Sequence, residues 1–414
     1  MAEFSNPFRP GAGHSPPYLA GRKTEREEFL RLLGQSAVLE NMVLTGLRGV
    51  GKTVLLDSFK PLATGRGWIW VGADLSESAS LSEENLAIRL CADLSPITSN
   101  VVVSREEVRR AGFATEHETI ERTLGYETLR AAYNGIPGLP IDKIKGVLEI
   151  AWRALSNLPN VRGVIFAYDE AQNLSDRSAK EQYPLSLLLD SFQSLQKKGL
   201  PLMLVLTGLP TLFPKLVEAR TFSERMFRAV VLSRLSESEC EEAIRRPIED
   251  EQCPIELLDG SVRRIIEISG GYPYFVQFIC KEVYDAFIQR HDRGESASVP
   301  VAEIQQKLDV DFFSGRWGRV TDRQRELLVV ISRLDRCDEE FTVQEVVEES
   351  RRYLNKPFSG SHVSQMLAAL TSQELVYKNR NARYSFSVPL LGGFIRRQTH
   401  DHERFGSGST ADRR

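Results

Sequence analysis

The sequence predicts a mixed α/β fold: a parallel sheet covered by helices, then an all-helical stretch, then three helices closed by a β-hairpin. Three observations predict it. Short apolar, β-branched runs alternate with helical periodicity over roughly 230 residues, as strands buried on both faces do. Such runs stop near residue 236. Beyond Val320, three amphipathic stretches precede LVYKNRNARYSFSVP, which alternates around a polar turn.

In chain order, residues 1–17 are rich in Pro, Gly and Asn and read as an extended arm. TEREEFLRLLGQ has helical spacing, with Thr24 placed to cap it. The strand MVLTG leads into TGLRGVGKTVLL (45–56), and RGWIWVGADLS supplies an aromatic second strand. From about 80 to 158 the chain reads as helical, broken by the loop NGIPGLP (134–140). VRGVIFAYDEAQNL (161–174) and LPLMLVLTGLP (200–210) are further buried strands, and AVVLSRLS (229–236) is another. Helices then surround ISGGYPYFVQF, DRGESASVP (292–300) is a linker, and DHERFGSGSTADRR is expected to be disordered. There is no internal repeat. These readings divide the chain into a phosphate-loop core with its arm (1–235), a helical lid (236–315), a winged-helix domain (316–398) and a tail (399–414).

Composition excludes several classes. With 42% hydrophobic and 26% charged residues the chain has the balance of a globular protein, and its net charge of -3 does not suit a globally basic nucleic-acid coat. No run is long and apolar enough for a membrane span. The five cysteines (Cys91, Cys240, Cys253, Cys280, Cys337) show no metal spacing and are expected to be buried thiols in a reducing cytoplasm.

The chemistry starts at Gly46, four residues, Gly51, Lys52, Thr53, a full G-x-x-x-x-G-K-[ST] match between a strand and a helix. Glycines let the backbone of Leu47, Arg48, Gly49, Val50 and Val54 turn N–H groups onto phosphate oxygens at a helix N-terminus. Lys52 would reach the β- and γ-phosphates of ATP, and Thr53 would place its hydroxyl on Mg²⁺. The plainer reading is a glycine-rich turn. Asp169 and Glu170 end the strand GVIFAY, where the first would hold Mg²⁺ through water and the second would polarise the attacking water. Alone they would read as an acidic helix cap. Thr207 could hydrogen-bond the γ-phosphate or lytic water, or cap a helix. Arg225 or Arg228 could serve as an arginine finger to a neighbouring subunit, which implies a homo-oligomer, or could simply be solvated.

The ordered set GLRGVGKT, FAYDEAQ, LTGLP and SGGYPYFVQ, followed by a winged-helix pattern, resembles the archaeal-type ATPase branch of the AAA+/STAND superfamily, close to origin-recognition-like ATPases. The resemblance runs over about residues 4 to 398 as an ordered series of motifs. It implies an adenine pocket from Tyr18, Leu19, Gly21 and Arg22, and a helical lid that brings Pro273 to the nucleotide. Where origin-recognition ATPases carry Gly-Asp-x-Arg on the lid, this chain has Gly270, Gly271, Tyr272 and Pro273, a form that resembles the STAND signalling ATPases.

In a winged helix the third helix enters the major groove. Here that helix offers Gln365 among its polar residues but no Lys or Arg, so phosphate attraction would rest on Lys356, Lys378, Arg380 and Arg383. The expected function is an ATP-hydrolysing switch controlling duplex-DNA binding; the alternative is a signalling or defence ATPase whose winged helix contacts a protein partner.

Overall fold

The computed structural model describes residues 5–11, 13–109, 117–253, 257–292, 299–380 and 383–406. The chain divides into two compact units. One holds Arg22–Thr45 and Leu55–Val231, the other Met1–Gly21, Gly46–Val54 and Leu232–Arg414.

The first unit is built on strands β1 (Asn41–Gly46), β2 (Trp68–Val71), β3 (Val102–Arg109), β4 (His117–Thr123), β5 (Gly163–Tyr168), β6 (Leu202–Gly208) and β7 (Phe227–Leu232). Five of them form a sheet in the order β2-β5-β6-β1-β7, with β2·β5, β5·β6 and β6·β1 parallel. β1, β5 and β6 are buried at every position, which is why they read as continuous apolar runs. β7, at the sheet edge, exposes its middle. Asn41, fully buried, accepts the Leu204 N–H at 2.7 Å and donates to the Met226 carbonyl at 3.2 Å. One side chain thereby satisfies backbone groups of two other chain segments.

Rings join helix to helix at Phe29 on Phe59 (centroids 4.1 Å) and helix to sheet at Phe192 on Phe166 of β5 (5.0 Å). Immediately after β2, Gly72 has φ 145°, and a Cβ there would lie 1.8 Å from the Ala167 carbonyl oxygen on β5. Gly72→Ala is therefore expected to cost about 3 kcal/mol or more. Thermal unfolding should register a fall of roughly 6–12 °C; an unchanged melting temperature would refute the argument.

Three sequence readings need correction. The stretch read as helical between 80 and 158 contains the antiparallel hairpin β3–β4, registered from Val102↔Thr123 to Arg109↔His117. Its Glu and Arg residues have good helix propensity, and that weak local preference loses to strand pairing. β7 starts at Phe227, two residues early, because Phe227 is buried. The first helix is Lys23–Leu33, with Arg22 rather than Thr24 at its N-cap.

The second unit has its own core, running from Phe8 of the arm to Ile395. Asn6 donates to the Lys281 carbonyl (2.8 Å) and Asp285 carboxylate (2.6 Å), and Phe8 meets Tyr284 edge-on. Ser236 and Glu239 form the capping box of helix Glu237–Asp250. Helix Asp259–Ser269 ends at Gly270 and Gly271, both with positive φ; a Cβ on Gly271 would sit 2.7 Å from the Leu235 carbonyl. Pro273 then opens helix Pro273–Asp292, a position where its missing N–H costs nothing.

The C-terminal part contains helices Asp322–Ser332, Val343–Tyr353 and Gly360–Ser372. With them go strands β8 (Phe341–Thr342), β9 (Val376–Arg380) and β10 (Arg383–Phe386), ordered β8-β10-β9 and antiparallel, and a last helix Leu391–Gly406. Val363, Met366, Leu367 and Leu370 are buried, as their helical spacing predicts. Residues 293–298 of the expected linker and 407–414 of the expected tail lie outside the described residues, and the last helix runs past residue 398.

Among the described residues no helix is long and apolar enough to cross a membrane. All five cysteines are free. Burial pushes the Cys91 and Cys240 thiols up to about 11, so they stay protonated at neutral pH.

Candidate functional site

The phosphate loop follows β1. Gly49 and Gly51 have φ of 77° and 89°, and a Cβ on Gly46 would come within 2.8 Å of the Leu232 carbonyl. Each glycine thus answers a separate steric demand. Helix Lys52–Thr64 begins at the lysine itself, so first-turn N–H groups and the positive end of the helix dipole meet at the loop. Lys52 is buried and its Nζ donates to the Gly46 and Leu47 carbonyls, both at 3.0 Å. An ammonium folded over a glycine-rich turn fits an anionic phosphate, which would displace those neutral acceptors. Half-buried Thr53 follows on the first turn of the helix.

In the other unit, Asp169 follows β5. It is 4% exposed, and its Oδ1 accepts the Glu170 N–H at 2.7 Å and the hydroxyl of fully buried Thr207 from β6. Thr207 therefore uses its proton on Asp169, which makes it a group that orients that carboxylate. Asp169 also bridges in register with Asp74, and desolvation followed by the charges of Asp169 and Asp74 raises the Asp57 carboxyl pKa. Glu170 is left-handed (φ 50°), and its side chain accepts the Gln172 amide. Gln172 returns to β6 by accepting the Leu209 N–H at 3.2 Å. The motif reading missed Gln172, although a polar residue two positions after an acid at a strand end was a usable signal.

Arg228 is exposed on β7, with its Nε 2.8 Å from Glu28. Arg225, on the short helix Ser223–Met226, is exposed and makes no ion pair among the described residues. Tyr18 donates to Glu242 at 3.1 Å, a bond that raises its pKa; Leu19 is half-buried; Arg22 is buried, 3.5 Å from Glu25.

The second unit also ties the loop to helix Pro273–Asp292 and to C-terminal residues. The Tyr274 N–H donates to the Gly49 carbonyl at 3.1 Å, directly after Pro273. Arg48 pairs with Glu374, a left-handed residue (φ 56°) between helix Gly360–Ser372 and β9. Leu47 lines a cavity of about 770 Å³ with Asp338, Glu340, Phe341, Tyr377 and Arg383. Lys356, Gln365 and Lys378 are exposed, and Arg380 ends β9. Arg383 lies 3.8 Å from Glu340, which also accepts the Asn379 amide, so a carboxylate already shares its charge.

Residues 18–217 match the family model described as an AAA ATPase domain. That span is just under half of the chain. Residues 310–395 match a domain of unknown function. No curated protein matches the chain. Its fold is similar to that of a Walker-type ATPase of Pyrococcus abyssi (15% identity, 91% of this chain and 96% of that one, TM-score 0.56). It is also similar to the ORC2 protein of Aeropyrum pernix in its ADP form (14%, 94% and 97%, TM-score 0.52). The matched span carries both ends of the predicted chemistry, GLRGVGKT after β1 and FAYDEAQ at the end of β5, and the chain's fold is similar to that of the ORC2 protein.

Proposed function

We propose that the protein is an ATP-binding and ATP-hydrolysing switch, and that its nucleotide state controls duplex-DNA binding through a C-terminal winged helix. The observation that carries the ATP part is the phosphate loop, with left-handed Gly49 and Gly51 and the Lys52 ammonium turned over the loop carbonyls. Lys52 would neutralise the phosphates. Thr53 and Asp169 would hold Mg²⁺, which supplies further charge neutralisation when bound. Glu170 would take a proton from the attacking water, with Asp169 oriented by Thr207. Arg225, exposed and without an ion pair among the described residues, suits a finger role in a homo-oligomer better than Arg228, which pairs with Glu28. The domain limits 1–235, 236–315 and 316–398 are proposed with the same reading, and the five free cysteines support a reducing compartment.

For the DNA part, helix Gly360–Ser372 would be the reading helix and β9–β10 the wing, with exposed Lys356, Gln365 and Lys378 as the contacts best placed for phosphates and base edges. A second reading, docking of a protein partner, is favoured by the acid-lined cavity beside Arg383 and its pairing with Glu340.

Fluorescence anisotropy of labelled duplex DNA, measured on Glu170→Gln protein with ATP and with ADP over a salt series, separates the two. The expected result is ATP-dependent binding that weakens steeply with salt and falls on Lys378→Ala. Absence of binding at low salt in both nucleotide states would sink the DNA part and leave the protein-partner reading.

A further inference from the structure

The phosphate loop carries a second cation besides Lys52, and the C-terminal domain holds it. Arg48 occupies the third position of GLRGVGKT and pairs with Glu374. Nearby Arg316 is stacked on Phe312 (4.6 Å) and donates to the Phe312 carbonyl at 2.5 Å. Burial, then the charges of Arg48 and Arg319, lower its pKa, and Glu374 raises it in part. Arg48, Arg316 and Arg319 thus crowd positive charge beside the loop, and Glu374 offsets it. A backbone tie runs in parallel. The Tyr274 N–H holds the Gly49 carbonyl, and Tyr274 belongs to the aromatic run Tyr274–Phe312 (5.4 Å), Phe312–Phe313 (5.1 Å) and Phe313–Phe394 (5.1 Å).

We infer that Glu374 is a positioning residue for nucleotide: it competes with the bound phosphates for Arg48, so that nucleotide binding releases the joint between helix Gly360–Ser372 and β9. The inference rests on the nucleotide reading above. It follows from the relative strengths of the partners. A di- or triphosphate carries more charge than one carboxylate and accepts the guanidinium fork bidentately. The Glu374 side chain is 40% exposed, so water takes over the released carboxylate, and a half-exposed pair is weak enough to give way. Glu374 is also a non-glycine residue in the left-handed region, a conformation held by its surroundings and relaxed when they let go. Linkage makes the coupling reciprocal: a ligand on the helix–hairpin joint that draws Glu374 away tightens nucleotide binding by the same factor that nucleotide loosens the joint.

The test is a double-mutant cycle on the full chain, with fluorescent N-methylanthraniloyl-ADP as probe and anisotropy as readout. Glu374→Gln should tighten binding about three- to tenfold by freeing Arg48, and Arg48→Gln should weaken it. In the Arg48→Gln chain, Glu374→Gln should change nothing, because its effect passes through Arg48. A residue that merely supports the fold would weaken binding when replaced, and a general charge effect would shift affinity equally in both backgrounds. Weaker or unchanged binding for Glu374→Gln, or equal shifts in the two backgrounds, overturns the inference while leaving the nucleotide reading intact. A native chain that binds no probe would remove the nucleotide reading itself.

Discussion

Lys52→Ala is expected to weaken nucleotide binding at least about a hundredfold and to leave the chain folded. The ammonium is buried and donates to two carbonyls of its own loop, so it sits where phosphate oxygens would replace those acceptors. Charge-assisted hydrogen bonds contribute about 1.5–3 kcal/mol each, and losing two corresponds to at least about a hundredfold in affinity. The bonds lost in the empty loop are local to it, so the cores built around Phe166 and Phe275 are untouched. Titration calorimetry with ATP, alongside a thermal melt, separates the two effects. Binding within threefold of the native chain would remove Lys52 from the phosphate site.

Glu170→Gln should do the opposite, retaining ATP while slowing hydrolysis by about 10²–10⁴-fold, the usual worth of a positioned general base. The substitution is nearly isosteric. A glutamine carbonyl can still accept the Gln172 amide, and the backbone N–H of residue 170 still reaches Asp169. Only the capacity to take a proton disappears. Phosphate release and ATP binding, measured separately, should split: turnover falls and affinity holds. Turnover at the native rate would move water activation to another residue.

Much of this was legible in the amino-acid order, for physical reasons specific to each element. β1, β5 and β6 are buried on both faces, so their apolar runs carried no ambiguity; Gly49 and Gly51 hold a backbone geometry that few residues tolerate, and Gly46 has no room for a Cβ. The hairpin β3–β4 was hidden because charged helix formers occupy strands whose pairing is set by backbone register. Arg48–Glu374 was out of reach for a different reason: the partners lie 326 residues apart, and neither belongs to a motif that names the other. Thr207 was found as a strand-end threonine, but its bond to Asp169 depends on β5 and β6 being neighbours, which spacing along the chain does not state.

The arm has a kinetic meaning. Phe8 shares a core with residues as distant as Ile395, and Asn6 is fastened to Lys281 and Asp285. Closing so long a loop is slow and comes late, because its entropy is lost before its contacts form. During synthesis the arm must wait, an apolar side chain without a partner, until helix Pro273–Asp292 has left the ribosome. The ties of loop segment 46–54 to later residues, Arg48 to Glu374 and Gly49 to Tyr274, wait with it, and a nascent chain would complete them only near the end of translation.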